Sequence, residues 1–319
     1  MINLFQNKGL SFQRYNSIKT ELWAKVLKNL LCTIRCYDSK KNIINGYSLL
    51  KAVDAELKSF NYSLEFLFKA EHKDFDSICS TLSGFDTFSN IYQKPNGKKR
   101  HRRYRIDTFF TKMYEKFRLE YGAEYIKSLG MVVCPYCNRN YIDSGNEDTI
   151  AELDHFLDKK QYPWLSITLE NLVPCCSACN HLKRQNAISY SPYDALRKTD
   201  AIIEFVFYPK KINEFGVFAL PLENPSGHFP MKNNIDVFKI NARYEINSEE
   251  IKELVIKYQS YSKNYLDYLG RIMKGFTTEL SAEEIYYGSP LSEDKYHTRP
   301  LSKFRRDILE QLKAAYKLK

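Results

Sequence analysis

Two pairs of cysteines share one spacing, Cys134-Pro-Tyr-Cys137 and Cys176-Ser-Ala-Cys179. Two thiolates three residues apart on a tight turn face a single ion, and two such turns complete the tetrahedron of a structural zinc site. A redox-active thiol pair is the competing chemistry for either motif. Cys175 would form a wider pair with Cys179 and is read as a neighbour of the site, outside the ligand set. The gap between Cys137 and Cys176 exceeds that of an ordinary zinc ribbon, so a metal there would clamp the ends of an inserted unit. Inside that unit stands Asp154-His155, a carboxylate beside an imidazole suited to take a proton from water near neutral pH. Neighbours on a regular strand point to opposite faces, so the pair serves one site only if a strand ends or bulges there, and the expectation is that it ends. Asn180 directly follows Cys179. With Asp154 it offers two hard oxygens of the kind Mg²⁺ or Mn²⁺ takes, leaving waters and substrate phosphate to complete the shell. The plainer alternatives are a supporting histidine at 155 and a helix-capping or surface amide at 180.

The elements around these residues follow from apolar spacing. Helical periodicity runs from Ile18 to Cys36, Ile43 to Phe60 and Ile106 to Leu129, the last with Ile106, Phe109, Phe110, Met113, Phe117 and Tyr121 on one stripe. Gly130 ends that helix, and MVVCPYCNRNYI suggests two short strands around the CPYC turn. IIEFVFYP and GVFALPL, joined by KKINEF, form a plausible hairpin. Ser248-Glu249-Glu250 heads a helix to about Lys274, and the segment from Pro300 onward makes a terminal helix with a Ser cap and a basic last turn. The expected class is α+β: a mainly helical region 1–130, a cysteine-bounded region 131–191, and a hairpin with further helices over 192–319.

The chain has 319 residues, 44% hydrophobic and 27% charged, enough for one large core or two smaller ones. Lys and Arg number 48 against 38 Asp and Glu, so the net charge is +10, which favours a polyanionic partner. No run is apolar enough to span a bilayer and the N-terminus lacks a secretory pattern, so a cytoplasmic, reducing location is expected, where cysteines serve as ligands before disulfides. Seven bases and no acid lie between Lys94 and Arg105. After a turn at Pro95 to Gly97, this stretch is expected as a basic surface loop or the edge of a helix, its Lys98, Lys99, Arg100, Arg102, Arg103 and Arg105 meeting nucleic-acid phosphates. A merely solvated charged loop is the equal alternative. Lys183 and Arg184, after the second cysteine pair, are further candidates for phosphate contact.

Taken together, CPYC, LDHF and NLVPCCSACNHLK resemble the HNH endonucleases of the ββα-metal type that carry a four-cysteine zinc site. The resemblance covers roughly Cys134 to Lys183. It implies that a zinc-stapled ββα unit is inserted in the helical body, with Asp154 a catalytic metal ligand, His155 the general base, Asn171 the residue bracing the loop, and Asn180 the second metal ligand. Asn180 stands where many members have His. The implied activity is phosphodiester hydrolysis in nucleic acid, DNA first and RNA such as tRNA as the alternative, with structural Zn²⁺ and catalytic Mg²⁺ or Mn²⁺. DHFLDKKQYPWLS and the terminal PLSKFRRDILEQL also resemble the PtuB-like nuclease subunits of Septu and retron phage-defence systems, whose partner is an ABC/SMC-like ATPase (PtuA-like). A zinc-stabilised binding or docking module with an inert nuclease motif is the alternative function.

Overall fold

The computed structural model describes residues 2–7, 10–26, 35–37, 43–93, 98–142, 150–224, 226–260, 263–273 and 281–317. The chain divides into two compact units, one of Ser11–Leu129 with Ser144–Pro174 and one of Met1–Leu10, Gly130–Asp143 and Cys175–Lys319. Residues 131–191 thus contribute to both. The fold is mixed, helices with small two-stranded sheets.

In the first unit, α1 (Phe12–Lys25) starts where the Ser11 hydroxyl accepts the Arg14 N–H, six residues earlier than apolar spacing alone suggests. Its Tyr15, Ile18, Leu22 and Trp23 are buried. The helix expected as far as Cys36 is corrected: β1 (Arg35–Tyr37) pairs antiparallel with β2 (Ile43–Asn45). The β-branched Ile43 and Ile44 favour the strand, so α2 (Gly46–Lys58) begins after them. Cys32 lies outside the described residues. Next come α3 (Leu64–Lys69), capped by Ser63, and α4 (Phe75–Thr81).

The expected basic loop is also corrected. Residues Lys99–Arg105 form β4, antiparallel to β3 (Thr87–Gln93) from Thr87 opposite Arg105 to Gln93 opposite Lys99. Tyr104 stacks on its cross-strand partner Phe88, ring centres 5.4 Å apart, an anchor that charge counting overlooks. Lys94 and the Pro95 to Gly97 turn lie outside the described residues. The long α5 (Ile106–Ser128) follows with its expected stripe buried, and Tyr114, Tyr125 and Ile126 widen the buried face. Then come β5 (Glu152–His155) and its partner β6 (Leu172–Cys175).

In the second unit the two strands expected around CPYC reduce to one bridge, Val133 with Tyr141. The turn itself takes up the intervening residues: the Asn138 N–H donates to the Cys134 carbonyl (2.8 Å), and Asn138 sits at φ 52°. Beyond α6 (Ser177–Lys183), the hairpin of β7 (Ile203–Lys211) and β8 (Glu214–Pro221) turns at Asn213 with φ 59°, so most of KKINEF is strand. The short α7 (Lys232–Val237) and α8 (Ile240–Glu245) precede α9 (Ser248–Gln259) and α10 (Lys263–Met273). The single helix expected over those last two is therefore broken. Ala282–Tyr287 is α11 and Ser302–Lys317 is α12. The cap expected of Ser302 comes from elsewhere: its hydroxyl donates to the Tyr296 carbonyl (2.8 Å), and the Asn138 side-chain oxygen accepts the Lys303 N–H (3.0 Å). Among the described residues no helix is long and apolar enough to cross a membrane.

Candidate metal centre and histidine loop

Cys134, Cys137, Cys176 and Cys179 are all buried, and their sulfurs lie within 4.8 Å of one another. A zinc–sulfur bond of about 2.3 Å puts tetrahedral thiolates about 3.8 Å apart. Cys137 and Cys176 are separated by 4.0 Å, so the four sulfurs fit a metal ion such as zinc with little movement. Cys175 is buried but stands outside the cluster.

Each knuckle is held by its surroundings in the second unit. The Ile2 N–H donates to the Pro135 carbonyl (2.7 Å), and Tyr136 stacks on Phe238 with centres 4.5 Å apart. The Tyr244 hydroxyl donates to the Cys137 carbonyl (2.6 Å). Donors also reach the sulfurs: the Cys176 N–H lies 3.4 Å from Cys134 Sγ, and an Arg243 guanidinium N–H lies 3.3 Å from Cys179 Sγ. Hydrogen bonds from the neighbouring thiols draw Cys137 well below the ordinary thiol range, and the Arg243 charge adds to the pull. Burial holds the Cys134 thiol well above that range, so within the cluster Cys137 gives up its proton before Cys134 does.

The histidine belongs to the first unit. β5 ends at His155, with Asp154 and His155 both buried. His155 Nε2 is 3.1 Å from the Ser166 carbonyl oxygen. A carbonyl only accepts, so Nε2 carries a proton. The Tyr114 ring meets the imidazole edge-on, centres 4.4 Å apart, restraining its rotation, and its hydroxyl donates to the Leu153 carbonyl (3.0 Å). Lys159 Nζ lies over the Tyr114 ring, 4.6 Å from its centre, and burial lowers its pKa.

Asn171 closes the loop that follows the histidine. Its side-chain oxygen accepts the Leu157 N–H (2.7 Å), and its amide donates to the Leu157 (3.1 Å) and Leu165 (3.0 Å) carbonyls. Its own carbonyl accepts the Phe156 N–H at 2.8 Å. Asn171 is fully buried, so it positions the loop and touches no substrate. The loop is tied to the helices by Thr168, whose hydroxyl donates to the Leu67 carbonyl (2.6 Å), and by Tyr125, which donates to Leu169 (2.8 Å). Glu170 adds a buried ion pair with Lys19 at 2.6 Å and accepts the His72 N–H at 2.6 Å.

Asn180 is half-buried on α6, in the other unit from Asp154 and His155. Lys183 is a correction: it is 1% exposed, buried in place of facing phosphate. It stands four residues after Cys179, and on a helix that spacing puts both on the inward stripe. Arg184 and His181 are exposed, 3.0 Å apart. Lys98, Arg103 and Arg105 are exposed. Lys99, Arg100 and Arg102 have their places on β4. Asn138, Arg243, Tyr244, Lys19 and Glu170 were missed in the sequence, because each acts through a partner far along the chain with no spacing to announce it. No family model, curated protein or solved structure matches the chain.

Proposed function

We propose that this chain is a metal-dependent endonuclease of the HNH type, hydrolysing phosphodiester bonds in nucleic acid, DNA before RNA, as the nuclease effector of an anti-phage complex with an ABC-type ATPase. The reading is carried by one observation: a strand ends on His155, and a buried asparagine ties the loop after it so that a carbonyl fixes the imidazole tautomer. In the proposed step Nδ1 of His155 accepts a proton from water, the water oxygen attacks phosphorus in line, and the bond to the 3′ oxygen breaks with its electron pair leaving on that oxygen, which takes a proton from solvent. The Ser166 carbonyl holds the imidazolium once it forms. Asp154 is a hard oxygen donor fit for Mg²⁺ or Mn²⁺, and such an ion supplies charge stabilisation at the phosphate. The four-thiolate centre leaves no open position for water, which assigns it to structure.

The test is cleavage of plasmid and RNA by purified protein with Mg²⁺ or Mn²⁺, alone and with the ATPase. His155→Ala should lower the rate on the order of 10²- to 10⁴-fold while bound metal and melting temperature stay as in wild type. Equal cleavage by both proteins discards the mechanism. Silence of the wild type in both formats leaves the zinc-stabilised binding module in its place.

A further inference from the structure

A second site lies wholly within the first unit. A cleft of about 170 Å³ opens between α2, the β3–β4 hairpin and the first turns of α5. Leu49, Phe88 and Phe109 form its floor, and the half-buried Tyr104, stacked on Phe88, forms a wall. Phe109 meets Phe88 edge-on, centres 5.5 Å apart. Three cations line the rim: Arg103, Arg105 and Lys112. Arg105 is held by Asp107 through two bonds of 3.0 and 2.9 Å, while Arg103 and Lys112 have no carboxylate partner among the described residues.

An aromatic-walled recess with unmatched cations at its mouth suits a flat ring attached to an anion, the chemistry of a nucleotide. Pockets for whole small molecules run to about 300–1,000 Å³, so this cleft has room for one ring and little more. Its positive charge is also spread along a strand: β4 carries Lys99, Arg100 and Arg102 beside Arg103 and Arg105, as a backbone with one charge per nucleotide requires. We propose that the cleft takes an unpaired base of a single-stranded nucleic acid, with flanking phosphates on Arg103 and Lys112. Bases inside a duplex are stacked and cannot enter. The inference takes from the proposed function only that nucleic acid is the partner, and holds whether or not a bond is cut.

The test is fluorescence anisotropy with a short labelled oligothymidylate, the same sequence as a duplex, and thymidine monophosphate as competitor, without added Mg²⁺ or Mn²⁺. Thr108→Trp fills the cleft from its exposed lining position and leaves every charge in place. It should weaken single-strand binding roughly five- to 100-fold, the worth of one stacked base, and leave duplex binding unchanged. Arg103→Ala and Lys112→Ala should each lower the salt slope for the single strand by about 0.7. Lys127→Ala, at the far end of α5, should not, and His155→Ala should bind as wild type, which separates this site from the fate of the nuclease proposal. Lys112→Glu supplies a second variant that leaves the core untouched. Wild-type affinity in a folded Thr108→Trp protein overturns the proposal, as does wild-type affinity in Lys112→Glu. So does competition by the mononucleotide at parity with the oligonucleotide, which would mark a free-nucleotide pocket.

Discussion

The cysteine centre and the histidine loop solve the same problem, fixing chemically active side chains, by opposite means. In the second unit four soft donors converge from chain segments about 40 residues apart, a set that could hold a metal ion such as zinc. In the first unit the chain supplies its own partners: Asn171 ties the loop it closes, and Lys19 with Glu170 forms an internal ion pair. One region could be completed by a metal ion, and the other is held by its own amide and charges. The difference teaches where each is vulnerable, to chelation in one case and to loss of a single buried partner in the other.

The largest expected effect lies in the cysteine centre. Structural zinc contributes on the order of 10 kcal/mol in small zinc domains, so Cys137→Ser or Cys176→Ser should lose the metal and unfold the second unit. Cys175→Ser, buried yet outside the cluster, should keep it. Elemental analysis with thermal unfolding reads both. Metal retained by Cys176→Ser and lost by Cys175→Ser would exchange their roles.

A smaller break is available in the other region. Lys19→Met strands the Glu170 carboxylate in the interior and should cost about 3–5 kcal/mol by denaturant unfolding, while replacing both residues with methionine should recover most of it. Burial raises the Glu170 pKa, with Lys19 pulling the other way. The folded state therefore holds this proton to higher pH than the unfolded chain does. The stability it lends is complete below the ordinary carboxylate range and is lost as pH rises through the raised value. The unfolding free energy of wild type minus that of Glu170→Gln should thus shrink as pH rises above about 4, the ordinary carboxylate range. A difference growing with pH would show that Lys19 outweighs burial.

What the residues announced in advance cuts across that divide. The cysteine ligands were legible because a knuckle is a local device, and the strand end at His155 followed from alternation. The α5 stripe was legible from its period. The basic stretch misled, because its charges mask an aromatic pair, Phe88 with Tyr104, that makes it a strand. Lys183 misled for the opposite reason, a charged residue carried inward by the phase of a helix whose buried face Cys179 sets. Asn138 illustrates the remainder. It ends one knuckle and caps α12, 165 positions later, a pairing that exists only once the second unit has folded.

Arg243 offers the smallest effect and the sharpest contrast. Four thiolates around a divalent ion leave two net negative charges, and one guanidinium placed 3.3 Å from Cys179 Sγ offsets part of them. Removing it leaves four ligands in place, so Arg243→Ala should still bind zinc, with affinity lowered about 10- to 100-fold as for other outer partners of metal ligands. Competition with a chromogenic chelator measures this directly, and unchanged affinity would confine Arg243 to packing. Arg243→Lys should recover only part of the loss, because the lysine ammonium ends one bond short of Nη1, the nitrogen that donates to both the sulfur and the Phe238 carbonyl. Lys19 is the corresponding cation of the other unit, and there the same kind of deletion costs folding itself, because its carboxylate has no metal to share the charge and no water to receive it.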